Sequence, residues 1–238
     1  MRLLILFLAA IAATASADTT VLPTVTTELK RDSSALPYGR INELLTRLKQ
    51  HGEGLFRMDF TVDKDKTKVP LAGIRMVVRS DDADYPIKIA DDGAMELPLL
   101  PLAEAKSADV ATNVPKGQLA VRGMLELTTP PEQLDLAKVR QIVRVARTLR
   151  EELLPFYLRW LFPRIQGVRI CSDTPTWELA WRENGQLMAL PLPAANEREP
   201  ATKKGAPSRP CTLLTGQENW PEAARLLPPA GTKLSIKF

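Results

Sequence analysis

The sequence predicts an α+β protein. Two antiparallel β blocks, built of hairpins and sandwich-like in pattern, flank a central long amphipathic helix broken near Pro155, with a short N-terminal helix before them. Three observations carry this reading. Apolar residues alternate in short runs across residues 56–127 and again across 177–238, as half-buried strands require. Between these runs a single stretch, 136–153, repeats its apolar residues at helical spacing. Gly and Asn-Gly turns join neighbouring runs into hairpins.

The chain opens with a segment that reads as a cleaved leader over residues 1–17. Met1-Arg2 is followed by an apolar core from Leu3, and Ala15-Ser16-Ala17 supplies the small-x-small pattern, with Asp18 as the first mature residue. The apolar run is too short for a membrane span. No cysteine follows it, so a lipid-anchored form is not expected. The predicted location is periplasmic or secreted. Residues 18–38 read as an extended lead-in, Thr-rich and without period.

Residues 39–129 form the short helix and the N-terminal β block. Ile41, Leu44, Leu45 and Leu48 repeat at helical spacing over 39–51, and Gly52 and Gly54 end the helix. Phe56, Met58, Phe60 and Val62 share one strand face, opposed by Arg57, Asp59 and Thr61. Ile74, Met76 and Val78 do the same in a second strand. Over 85–99 a three-residue loop, Asp91-Asp92-Gly93, puts Gly93 at the left-handed position of a bulged hairpin. That register pairs Ile89 with Met95, Ile87 with Leu97 and Tyr85 with Leu99, with Lys88 facing Glu96. Leu119, Val121, Leu125 and Leu127 mark one more strand.

Residues 130–164 form the central helical segment. Pro130-Pro131 lead in, and Leu136, Val139, Ile142, Val143, Ala146, Leu149 and Leu153 make one apolar face. Glu132 and Asp135 suit the positive helix end. After Pro155 an aromatic piece, Phe156 to Phe162, continues to Pro163. Residues 165–238 form the C-terminal β block. Asn184-Gly185 is its best turn and pairs Trp181 with Met188, Leu179 with Leu190 and Trp177 with Leu192. Residues 193–210, rich in Pro, Ala and charge, read as a mobile surface loop. Leu234, Ile236 and Phe238 alternate in a last strand that ties the chain end into a sheet.

The two cysteines, Cys171 and Cys211, are an even pair in an exported chain and are expected to form a disulfide. With one histidine in the chain, no closed structural zinc site can be built without carboxylates. The formal net charge of +4 falls by one when Arg2 leaves with the leader. That weak balance gives no reason to invoke nucleic acid.

Candidate chemistry is sparse. His51 stands at a helix end with no nucleophile motif such as Gly-x-Ser-x-Gly. No Gly-x-Gly-x-x-Gly or Walker loop is present, so no cofactor is expected. Asp63-Lys64-Asp65-Lys66-Thr67 alternates oxygen donors as calcium loops do, yet Lys68 stands where that loop needs glycine, and a charged turn is the better reading. Asp81, Asp82, Asp84, Asp91 and Asp92 are a carboxylate patch of the type a hydrolase could use, if two of them face each other across a cleft. Arg140, Arg144 and Arg147 lie as a basic stripe beside the apolar helix face. With Trp160 they form a candidate interaction surface for a protein or an anionic membrane. The pattern of short strands and Gly-marked hairpins over residues 53–128 resembles an immunoglobulin-like or transthyretin-like sandwich, without the Cys…Trp…Cys spacing of true immunoglobulin domains.

These observations lead to an exported, non-catalytic binding or accessory component of the cell envelope, acting on an envelope protein or surface ligand. The alternatives are a periplasmic carboxylate-dependent hydrolase and a peripheral membrane-surface binder through residues 153–162.

Overall fold

The computed structural model describes residues 29–31, 37–154, 163–192, 197–199 and 208–238. The leader residues Ala15, Ala17 and Asp18, the break at Pro155, Trp160 and part of the 193–210 loop lie outside them. The fold is α+β, with several antiparallel sheets and few helices.

In the N-terminal part, helix α1 spans Tyr38–His51 and strand β2 spans Phe56–Val62, close to the predicted boundaries. The two-residue strand β1 (Lys30–Arg31) joins β6 (Asp109–Thr112), β3 (Met76–Arg79) and β4 (Asp84–Ile87) in one sheet, ordered β1-β6-β3-β4. A second sheet is ordered β5-β2-β7, with β5 at Ala94–Met95 and β7 at Val121–Leu127. Both sheets contribute to one core: Met76, Val78 and Val110 from the first meet Val62 and Met95 from the second. Tyr38 of α1 and Ala105 of the short helix α2 (Leu102–Ala105) complete that core. An all-β sandwich needs no such helices, so the likeness over 53–128 is one of strand pattern.

The 85–99 hairpin is correct only at its tip. Ile89 does face Met95, and Gly93 has φ +93°. Beyond that point the predicted pairs do not form: Tyr85 and Ile87 face Val78 and Met76 of β3 instead. The reason is a clamp from α1. Buried Asn42 accepts the Leu100 N–H at 2.8 Å and donates to the Leu100 carbonyl at 3.0 Å, while the Tyr38 hydroxyl donates to the Pro98 carbonyl. Residues 98–100 therefore lie along α1, where Pro98 has no N–H to miss. Burial pushes the Tyr38 phenol up to about 12.

Helix α3, Leu136–Leu153, is capped by Asp135, whose carboxylate accepts the Lys138 N–H at 2.7 Å. At its other end Arg47 of α1 donates to the Glu152 carbonyl at 2.6 Å, satisfying one of the orphan acceptors of the last turn. Its predicted apolar face is buried apart from half-buried Leu153, and Val145 is buried as well. This face packs with Val168 and Ile170 of β8 (Gly167–Cys171) in a second core. That sheet is ordered β11-β12-β8-β14, with β11 at Glu197–Arg198, β12 at Pro210–Leu214 and β14 at Lys233–Lys237. Strand β14 bears out the tethered chain end. Strands β11 and β12 correct the loop at 193–210. Glu197 and Arg198 pair with Cys211 and Pro210, so both rims of that polar stretch are sheet. Composition hid this, because edge positions tolerate Glu, Arg and Pro.

The remaining sheet is ordered β10-β9-β13, with β9 at Glu178–Glu183, β10 at Gln186–Pro191 and β13 at Arg225–Leu227. Its Asn184-Gly185 turn has φ +50° and +80°, as the tight primed turn requires. Trp181 faces Met188 and Leu179 faces Leu190, as predicted, and the Leu192 N–H reaches the Trp177 carbonyl at 2.8 Å.

Two elements cross between the cores. Helix α1 gives Tyr38 to the first and Leu48 to the second, and β2 gives Val62 to the first and Phe56 to the second. The turn between them is fastened to α3. Glu53 has φ +49°, and its carboxylate accepts from Gln141 at 2.8 Å and from both Arg144 terminal nitrogens at 3.0 and 3.1 Å.

Candidate interaction surface

The basic stripe of α3 is exposed, and two of its arginines reach neighbouring loops. The Arg140 Nε donates to the Gly216 carbonyl at 2.8 Å, and its guanidinium stands 3.7 Å from Glu222. Arg144 holds Glu53, and the hydrogen bonds from Gln141 and Arg144 keep that carboxyl below its usual range. Two of the three arginines thus fasten loops to the helix. Arg147 is exposed with no partner among the described residues. Trp160 lies outside those residues; Arg140 and Arg144 remain exposed alongside Arg147 while making these contacts.

Two of the five patch carboxylates are held by neighbours. Asp84 is held by Arg79 through two 2.8 Å hydrogen bonds, which lower its pKa. Asp92 accepts the Ala94 N–H at 2.9 Å. Asp81 and Asp82 sit in the turn before β4, and Asp91 and Asp92 sit beyond its other end. In the calcium-like loop Asp63 accepts from Arg122 at 2.7 Å and from the Asp65 N–H at 3.2 Å. The Arg122 bond is the main cause of its lowered pKa. Among the described residues no group of three or more His, Cys, Asp or Glu side chains could hold a metal ion. His51 ends α1 with its Nε2 4.0 Å from Glu152, consistent with a helix-end histidine.

The cysteines form the expected disulfide. Cys171 and Cys211 face each other across β8 and β12 with their Cα atoms 4.2 Å apart. The neighbouring Ser172 N–H bonds the Pro210 carbonyl, which makes the cysteine pair the close, non-hydrogen-bonded type. The cross-link closes a 40-residue excursion that includes the β9–β10 hairpin.

That hairpin carries the feature sequence reasoning missed. Strand β10 is the edge of its sheet, and all six of its residues are exposed. Leu187 is 68% exposed, and Met188 and Leu190 are 40% exposed each. The bond from Leu192 to Trp177 sets the alternation along the hairpin. Gln186, Met188 and Leu190 spend their backbone groups on β9, while Leu187 and Ala189 turn theirs outward. Pro191 falls in the outward set, where its missing N–H costs nothing. No charged residue interrupts Gln186-Leu187-Met188-Ala189-Leu190-Pro191. Natural edges are commonly guarded by Lys, bulges or cover. The other edge of the same sheet is occupied, since the Leu226 N–H bonds the Leu134 carbonyl and Arg225 bridges Asp135.

A groove of about 1000 Å³ runs beside α1 and α2, lined by charged groups including Arg40, Glu43, Arg47 and Glu152. Its Arg47 and Glu43 are paired at 2.8 Å. Among the described residues no helix is long and apolar enough to cross a membrane. Neither a protein-family model, nor a curated protein, nor a solved structure matches this chain.

Proposed function

We propose that the protein is an exported, non-catalytic binding or accessory component of the cell envelope, which takes a partner's extended segment as an added strand on β10. The carrying observation is the uncharged, exposed edge of a hairpin that lies within the span closed by Cys171–Cys211. Strand addition draws affinity from main-chain hydrogen bonds and selectivity from alternate side chains, and Leu187 and Ala189 offer the unused backbone groups it needs. The leader pattern at residues 1–17 and a disulfide that persists in oxidising compartments support export. In this reading α3 is the central support that carries both β blocks, and its arginines serve that role rather than contact with a partner.

The test is a photocrosslinking amino acid placed at Leu187 in the full chain expressed with its leader. N-terminal sequencing of the exported protein should begin at Asp18. Crosslinking in intact cells should give a discrete adduct from position 187 and none from the exposed α3 position Thr148. A retained leader, or equal labelling from both positions, overturns the proposal.

A further inference from the structure

We infer that the strand added to β10 is the β10 of a second copy, so that two chains form a symmetric dimer with one continuous sheet across the two-fold axis. This rests on the strand-addition reading above and names its occupant. The argument is a matching of backbone groups. The outward N–H groups are those of Leu187 and Ala189, and the outward carbonyls those of Leu187, Ala189 and Pro191. An antiparallel pairing centred on Met188 sets Leu187 opposite Ala189 of the second copy, and Ala189 opposite its Leu187. That gives four hydrogen bonds and uses every outward N–H of both strands.

Of the other registers, one forms as many bonds. A shift by one residue sets outward groups against inward ones, and the bonds vanish. Centring on Leu187 sets Ala189 opposite Gly185, whose φ of +80° removes it from the ladder. Centring on Ala189 also gives four bonds, with each Leu187 N–H donating to the Pro191 carbonyl of the second copy, but it leaves the Leu187 carbonyls without a donor. The strand therefore matches itself in two registers, of which the Met188-centred one spends both the N–H and the carbonyl of every paired residue.

Charge and closure agree with this. A strand paired with itself places any charged residue close to its own copy, and β10 has none from Gln186 to Pro191. The favoured register brings Met188 against Met188 at the axis and Leu187 beside Ala189, covering Leu187, the most exposed large apolar side chain of the sheet. The far edge, β13, is occupied by Leu134 and Asp135, so the combined sheet closes at two copies instead of growing into a fibre.

The test uses the purified exported chain in sedimentation equilibrium. The wild type should show a monomer–dimer equilibrium. A189P removes an N–H that does not serve β9, so the monomer fold should persist by circular dichroism. It deletes two of the four intermolecular bonds and should raise the dissociation constant about a hundredfold. M188C adds a thiol to a chain whose two cysteines are already bonded, and it places that thiol at the axis in a close, non-hydrogen-bonded pair. It should cross-link into dimers on mild oxidation, whereas S107C, on an exposed loop, should not. A monomeric wild type, or a dimer untouched by A189P and equally cross-linked by both cysteine variants, overturns the inference. In the photocrosslinking experiment an adduct at twice the chain mass supports the dimer. An adduct of another mass defeats it and leaves strand addition standing; no adduct defeats both.

Discussion

Replacing Asn42 by Leu tests how α1 diverts the chain out of the predicted hairpin. Asn42 is fully buried, and its amide meets both the N–H and the carbonyl of Leu100, at 2.8 and 3.0 Å. Leucine has the same branching and number of side-chain heavy atoms but offers neither donor nor acceptor, so both Leu100 groups would be left unpaired in a buried place. Each orphaned group costs roughly 1–3 kcal/mol, and the greasier side chain returns part of that, so about 3 kcal/mol of destabilisation is expected. For a chain of this size that corresponds to a fall of about 6–12 °C in melting temperature. Thermal unfolding followed by circular dichroism gives the shift. Amide exchange gives its location, because the Leu100 amide should lose protection first. A shift under about 2 °C with Leu100 still protected would refute the clamp as the reason residues 98–100 leave the sheet.

Two further outcomes follow from the ion pairs and the disulfide. Glu53, Asp63 and Asp84 all have carboxyl pKa values held below the usual range by hydrogen-bonded neighbours, with Gln141 and Arg144 acting on Glu53, Arg122 on Asp63 and Arg79 on Asp84. A depressed folded-state pKa gives stability that is present above the unfolded value and lost as pH falls through the folded one. Urea midpoints should therefore hold steady above about pH 5 and drop below it, and E53Q should flatten that slope; an unchanged slope would remove Glu53 from the account. Reducing Cys171–Cys211, which closes a 40-residue loop, should cost up to about 4 kcal/mol in urea denaturation with and without dithiothreitol; a change near zero would show that the β8–β12 ladder alone restrains the excursion.

Local chemistry was the most readable part of the sequence. Asn184-Gly185 set the β9–β10 register residue by residue, because a two-residue primed turn admits one alignment and one apolar face. The helix α3 followed from its 3.6-residue period. The failures came where a distant element outbid a local pattern. Residues 85–99 alternate well enough for a long hairpin, but Asn42 and Tyr38, over forty positions earlier, draw the second arm away. For the basic stripe, period says which residues share a face, not what a loop brings to meet them. Gly216 and Glu53 arrive from loops on either side of α3 in the sequence. Strand β10 escaped notice for the opposite reason. Its alternation announces a strand, but whether that strand has one neighbour or two is a property of the sheet.

The disulfide gives that edge its context. Cys171 and Cys211 already face each other in a ladder flanked by β11 and β14, so the cross-link has little register left to impose. What it does restrain is the excursion between them, which would otherwise gain freedom whenever the ladder frayed. The exposed strand lies within this restrained span, and a quarter of the whole sequence is charged, yet β10 carries no charge. An edge left apolar in such a chain invites pairing that the usual guards would prevent. Exposed apolar edges are aggregation hazards unless pairing terminates, and here termination has a structural source: β13 is filled by Leu134 and Asp135, leaving β10 as the open edge of this sheet among the described residues.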